Sequence, residues 1–180
     1  MEIKEKLAFT LAEVLITLGV IGVVAAITIP GRITSYNKKI TETRLAKFYS
    51  VFNQAIRLSV AENGDVDTWD DYWDNNGTIT GGQENQTGVE KAFDTYLRPY
   101  MQIAYKKRIH HGQDKILYVL PNGGAFAYNV WGTRDITFFP KDAEKCIARN
   151  KPIGTCSFMF IFYPISEAES WKYHYNKGIE

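Results

Sequence analysis

The chain is poor in the side chains that carry chemistry. Of its 180 residues two are cysteine, Cys146 and Cys156, and three are histidine, His110, His111 and His174. No second Cys or His pair sits at ligand spacing, so a zinc site is not expected. A phosphate-binding loop is missing, because Gly81-Gly82 is not followed by Gly-Lys-Ser/Thr. Gly-x-Ser-x-Gly and His-Glu-x-x-His are missing too. These absences set the expectation of a protein that is not an enzyme and holds no cofactor. An excess of charge of one sign is also lacking: the formal net charge is +1. Residues 1–63 hold eight Lys/Arg against five Asp/Glu, and residues 64–180 hold thirteen against fifteen. The larger part is therefore not a broad polyanion binder, and nucleic acid is not an expected partner. What is abundant is apolar: 45% of residues are hydrophobic and 14% aromatic, which suits a packed core and excludes disorder.

Charge is scarcest in Phe9–Ile29, where Glu13 is the single ionisable side chain. As a helix this run would reach roughly 31 Å, enough to cross a bilayer core. A carboxylate at the bilayer centre costs roughly 2.5–3.5 kcal/mol and less near the end where Glu13 sits, so the acid calls for a partner. The polar leader Met1–Ala8 is short and mixed in charge, unlike the n-region of an ordinary signal peptide. Two plain readings of the run stand beside a functional one. It is either a conventional signal peptide cut after Val24-Ala25-Ala26, or a single-pass anchor with an incidental acid.

The junction itself points elsewhere. Ala8-Phe9-Thr10-Leu11-Ala12-Glu13, followed by Val14-Leu15-Ile16, resembles the prepilin processing site of type IV pilins and type II secretion pseudopilins. The resemblance implies cleavage between Ala8 and Phe9 by a prepilin peptidase and N-methylation of Phe9. It implies that Glu13, fifth in the mature chain, serves assembly by meeting the N-terminus of the next subunit. A new α-amine has an ordinary pKa near 8, and amine and carboxylate could neutralise each other in an apolar surround. Other pilin or pseudopilin subunits, assembly platform proteins and the bacterial cytoplasmic membrane are the partners implied. Three features depart from the family pattern. Ala8 stands where Gly is usual, Glu2 and Glu5 cancel Lys4 and Lys6, and Arg32, Lys38 and Lys39 follow the span, against the positive-inside bias. The outward orientation of the rest of the chain thus comes from the resemblance and not from charge.

Small residues on the span, Gly19, Gly22, Ala25 and Ala26, allow close helix approach in lipid, although such composition is also general in membrane helices. Pro30 follows and is expected to bend the helix, since it removes one backbone hydrogen bond. Beyond it Ile33, Tyr36, Ile40, Leu45, Phe48, Phe52, Ile56 and Val60 recur near the helical period, and Asn63-Gly64 is a stop. One helix over Phe9–Glu62 is expected, its second half resting on a C-terminal domain. The layout is then a leader (1–8), a transmembrane half-helix (9–29), an amphipathic half-helix (30–63) and an extracytoplasmic head (64–180). The fold class is α+β and pilin-like, with a long N-terminal helix packed on a small antiparallel sheet.

Within the head, Asp65, Asp67, Asp70, Asp71 and Asp74 raise calcium as a candidate ion, but their spacing does not fit an EF-hand loop and a solvated loop explains them. Thr87-Gly88-Val89-Glu90 reads as a capping box opening a helix over roughly 88–98. Lys106-Lys107-Arg108 is the one local basic cluster, expected in a solvated loop, with anionic lipid or DNA as the functional alternative. Ile116–Leu120 and Ala125–Trp131 flank Pro121-Asn122-Gly123-Gly124, a hairpin signal. Ile136–Phe139 and Cys156–Tyr163 are further strands, the last almost wholly apolar and so expected at the centre of the sheet. In an oxidising compartment Cys146 and Cys156 are a candidate disulfide, worth about 2–3 kcal/mol in the chain-entropy model; the alternative is two small buried thiols.

Function follows from the resemblance: a structural subunit, pseudopilin or minor pilin, of a secretion or pilus-like fibre. Two other readings remain, a pilin-like module binding DNA or a surface through Lys106–Arg108, and a membrane-tethered enzyme.

Overall fold

A computed structural model describes residues 9–69, 86–111, 113–129, 132–150, 153–162 and 177–180. It divides into two compact units, Met1–Glu42 and Thr43–Glu180. A single helix, α1, runs from Leu11 to Asn63. Its apolar part has a window of mean hydropathy 2.3, long and apolar enough to cross a membrane, and none of that window is buried by the chain itself. Ile16 is 66% exposed and Ile27 75%.

Gly64 ends α1. At φ +81° it donates its N–H to the Val60 carbonyl at 3.0 Å, a left-handed cap that a side chain would strain. The indole of Trp69 then folds back, with Nε1 donating to the Gly64 carbonyl at 3.0 Å and its ring stacked on Tyr96.

The second unit is a five-stranded antiparallel meander in the order β1-β2-β3-β4-β5. The strands are Tyr105–His111, Gln113–Val119, Ala125–Asn129, Gly132–Phe139 and Phe158–Ile161. Two short helices join them, α2 (Gln86–Tyr96) before β1 and α3 (Ala143–Ala148) between β4 and β5. The Asn122-Gly123 turn forms as its residues require. Gly123 adopts φ +79°, and Leu120 and Gly124 close the turn by a 2.8 Å backbone bond.

Strand alternation gives the sheet two buried faces. On one, Ile116, Tyr118, Phe126, Tyr128, Ile136 and Phe138 meet Phe48, Phe52 and Ile56 of α1 and Phe93 of α2. Phe48 stacks on Phe138 at 4.3 Å, and Phe52 meets Phe126 edge-on at 5.9 Å. On the other, Leu117, Ala125, Ala127 and Phe139 pack with Ala143 and Cys146 of α3. The alanines leave room for this short helix to lie close. Along α1 the apolar stripe is covered from Leu45 onward, whereas Ile33 and Tyr36 stay exposed.

Several sequence expectations need correction. The apolar run after Cys156 does not form a central strand: β5 is the last of the five and pairs only with β4 among the named strands. Its other side is taken by the C-terminal residues. Ile161 and Glu180 exchange backbone bonds of 2.9 and 3.0 Å, and Phe162 bridges Ile179. The run is apolar because Phe160 and Phe162 reach the main core. Lys106-Lys107-Arg108 is not in a loop; it lies in β1. The helix expected over 88–98 is Gln86–Tyr96, so Glu90 falls beyond its first turn and its carboxylate binds cations instead.

Candidate functional site

The start of α1 is built by two residues. Thr10 precedes the first helical residue, and its hydroxyl accepts the Glu13 N–H at 3.3 Å. In return Glu13 Oε2 accepts from the Thr10 N–H at 2.9 Å and from the Thr10 hydroxyl at 2.8 Å. Together they make a reciprocal capping box that satisfies donors left over at a helix N-terminus. The partial positive charge of that terminus also favours an anion there. The Thr-x-x-Glu spacing was in plain view at 10–13, and sequence reasoning about Glu13 as an assembly residue passed over it.

The other polar side chains of Phe9–Ile29 are closed in the same way. Thr17 donates to the Val14 carbonyl and Thr28 to the Val24 carbonyl, each at 2.9 Å. Every hydroxyl and carboxylate between Phe9 and Ile29 thus has a partner inside its own helix, the condition that a hydrocarbon environment sets. Ala8 lies outside the described residues; Phe9 is 87% exposed. Pro30 stands inside the continuous helix, and the Thr34 hydroxyl donates to its carbonyl at 3.1 Å.

The basic cluster of β1 is spent within the fold. Lys106 and Arg108 point to the α1/α2 side of the sheet. There Lys106 Nζ meets Glu90 at 2.5 Å and Asp94 at 2.8 Å, and Arg108 meets Glu90 at 2.9 Å. Hydrogen bonds to Asp94 and then Glu90 raise the Lys106 pKa. Lys107 points to the opposite face and meets Glu144 of α3 at 2.9 Å. These contacts join both short helices to the sheet edge and set three acids, Glu90, Asp94 and Glu144, against the three cations of the cluster.

Cys146 and Cys156 form a disulfide with Cα atoms 5.9 Å apart, tying α3 to the segment that leads into β5. A second tie holds the C-terminal residues to α1. Asn53 Oδ1 accepts the Ile179 N–H at 2.9 Å, and its Nδ2 donates to the Ile179 carbonyl at 3.4 Å. Nothing in the sequence marks Asn53 for this task except its polarity within an apolar stripe.

Among the described residues, no group of three or more His, Cys, Asp or Glu side chains is placed to hold a metal ion. Asp70, Asp71 and Asp74 of the calcium candidate lie outside the described residues, as does His174; His110 and His111 are described in backbone only. No curated protein and no solved structure matches the chain. A family match covers residues 32–180 and so leaves the apolar run Phe9–Ile29 outside it. The chain belongs to that family, described as a family of unknown function (DUF6613).

Proposed function

We propose that this protein is a structural, non-catalytic subunit of a pilin-like fibre, a pseudopilin or minor pilin. In this reading it is held by one span in the bacterial cytoplasmic membrane with its α+β head on the extracytoplasmic side. The observation that carries the reading is the sequence Ala8-Phe9-Thr10-Leu11-Ala12-Glu13 at the mouth of a 53-residue helix whose apolar part the chain leaves uncovered. Uncovered apolar surface of that length needs lipid or the helices of other subunits around it. The disulfide supports placement of the head in an oxidising compartment. The ion pairs of Lys106–Arg108 speak against the DNA-binding alternative. Glu13 is the assembly residue, Ala8 and Phe9 the processing site, and prepilin peptidase, further pilin-like subunits and assembly platform proteins are the partners.

Intact-mass measurement of the membrane-extracted protein tests this. The expected species lacks eight residues and gains one methyl group on Phe9. A chain that still begins at Met1, or one cut after Ala26, removes the reading.

A further inference from the structure

The contiguous basic cluster is neutralised, but a second cationic set is visible only in three dimensions. Lys141, Lys145 and Arg149 line one concavity of about 270 Å³ beside the Cys146–Cys156 disulfide, together with Asp142 and Thr155. Four-residue spacing brings two of these cations together. Lys145 and Arg149 sit one helical turn apart, held there by the 3.2 Å bond from the Arg149 N–H to the Lys145 carbonyl, and Lys141 lines the same concavity from before the helix, beyond Asp142 in its left-handed conformation. Side chains at that spacing have β-carbons about 5–6 Å apart, close enough for two to grip one phosphate.

Lys145 and Arg149 line the concavity beside one lining carboxylate, Asp142. The nearest other acid of α3, Glu144, is engaged by Lys107. No ion pair uses Lys145 or Arg149 among the described residues, and both are exposed. The like charges of Lys145 and Arg149, one turn apart, repel each other unless an anion is shared between them. The disulfide ties another part of the lining, Cys156 and Thr155, to Cys146 on α3, the helix whose last turn brings Lys145 and Arg149 together. Ammonium and guanidinium groups around an open concavity suit an oxyanion bearing several acceptor oxygens.

We propose that the concavity bounded by Lys141, Lys145, Arg149 and the Cys146–Cys156 disulfide binds a phosphate-class oxyanion. The inference does not rest on the pilin reading and stands if that reading fails. The anion is either a free polyvalent phosphate or a phosphodiester of a lipid headgroup or surface polymer; both present the same oxygens to the same cations.

The test uses the full chain in neutral detergent at low ionic strength, with 31P NMR titration of inorganic pyrophosphate in one arm and glycerophosphoglycerol in the other. Saturable binding is expected in at least one arm, and the arm that binds identifies the source. The Lys145→Gln/Arg149→Gln double variant should bind about tenfold or more weakly, since it loses two charge-assisted contacts. A Lys47→Gln/Arg57→Gln variant, with the same loss of net charge elsewhere, should bind as the parent does. Circular dichroism melting confirms that each variant is folded, as expected for exposed positions. The proposal is overturned if neither probe saturates at millimolar concentration, if the Lys145/Arg149 variant binds undiminished, or if the Lys47/Arg57 variant weakens binding equally.

Discussion

Thr10 and Glu13 hold each other: the threonine hydroxyl caps the Glu13 N–H while the Glu13 carboxylate takes both the N–H and the hydroxyl of Thr10. This pairing supplies a single chain with a partner for its one acid in the apolar run. It also separates two roles for Glu13 that a change to alanine would confound. Glutamine completes a capping box as glutamate does but carries no charge. Glu13→Gln should therefore leave helix formation and membrane extraction unchanged. If the carboxylate also meets a neighbour's terminal amine, the same variant should fail to enter fibres, as judged by shear-fraction immunoblotting. Normal incorporation of Glu13→Gln would reduce Glu13 to a cap. Thr10→Ala, which keeps the charge and loses the cap, should cost about 1 kcal/mol of helix stability.

The disulfide should stabilise the second face of the sheet more than the first. Its loop of ten residues is short, and its loss should cost about 2–3 kcal/mol in the chain-entropy model. In a Cys146→Ala/Cys156→Ala variant, amide exchange should rise first over Ala143–Ala148, which otherwise rests on the smaller cluster of Leu117, Ala125, Ala127 and Phe139. Exchange in β2 and β3 should rise less, because the aromatic cluster of Phe48, Phe126 and Phe138 holds them from the other side. Equal acceleration across all strands would show that the two faces unfold as one unit.

The parts of the fold that could be read in advance are those written in local pattern. The long apolar and then amphipathic period announces α1, Asn122-Gly123 announces its turn, and two cysteines in a chain with no others announce their bond. The errors share a cause. Whether a strand is central depends on what lies across from it, and the neighbour of Ile161 is Glu180, nineteen residues away in sequence. Whether Lys106 stands in a loop or a strand depends on Tyr118, its partner across β2, and the acids it meets, Glu90 and Asp94, reach it from another element. Helix α3 has only six residues, too few to display a period, and follows Asp142 in a left-handed conformation that no pattern signals. At the candidate site the Thr-x-x-Glu spacing was legible in the sequence, whereas the convergence of Lys141, Lys145 and Arg149 on a disulfide wall needed coordinates.

Asn53 and Gly178 should prove energetically coupled. Gly178 has φ +79°, and a β-carbon there would collide with Asn53 Oδ1. Gly178→Ala is thus expected to lose about 1–3 kcal/mol through backbone strain and that collision. Asn53→Ala should lose about 1–2 kcal/mol by leaving the Ile179 backbone groups without their partner. Removing the asparagine also removes the obstacle, so the double variant should cost less than the sum of the two in denaturant unfolding. Strict additivity would mean that the backbone conformation of Gly178 matters and its contact with Asn53 does not.

Two lysines should give the stability of the head a turning point in alkaline solution. Lys115 in β2 is half-buried, and burial pushes its pKa below the ordinary 10.5. Its unfolded form therefore keeps a proton that its folded form releases, so stability rises with pH from the lowered folded value up to 10.5. Lys106 has the opposite sign. Asp94 and Glu90 raise its pKa, so its contribution is complete below 10.5 and is lost as pH climbs through the raised folded value. The Tyr100 hydroxyl, which donates to Glu62 at 2.7 Å and is shifted upward mainly by that bond, acts in the same sense as Lys106 from its ordinary value of 10.0 upward. Urea midpoints measured from neutral pH upward should accordingly climb before they fall. Lys115→Met should abolish the climb and stabilise the protein at neutral pH by about 0.5–1 kcal/mol, because an apolar side chain has no charge to desolvate. A climb that persists in Lys115→Met would assign it to another group, and a parent curve that only falls would show that water reaches the Lys115 ammonium in the folded protein.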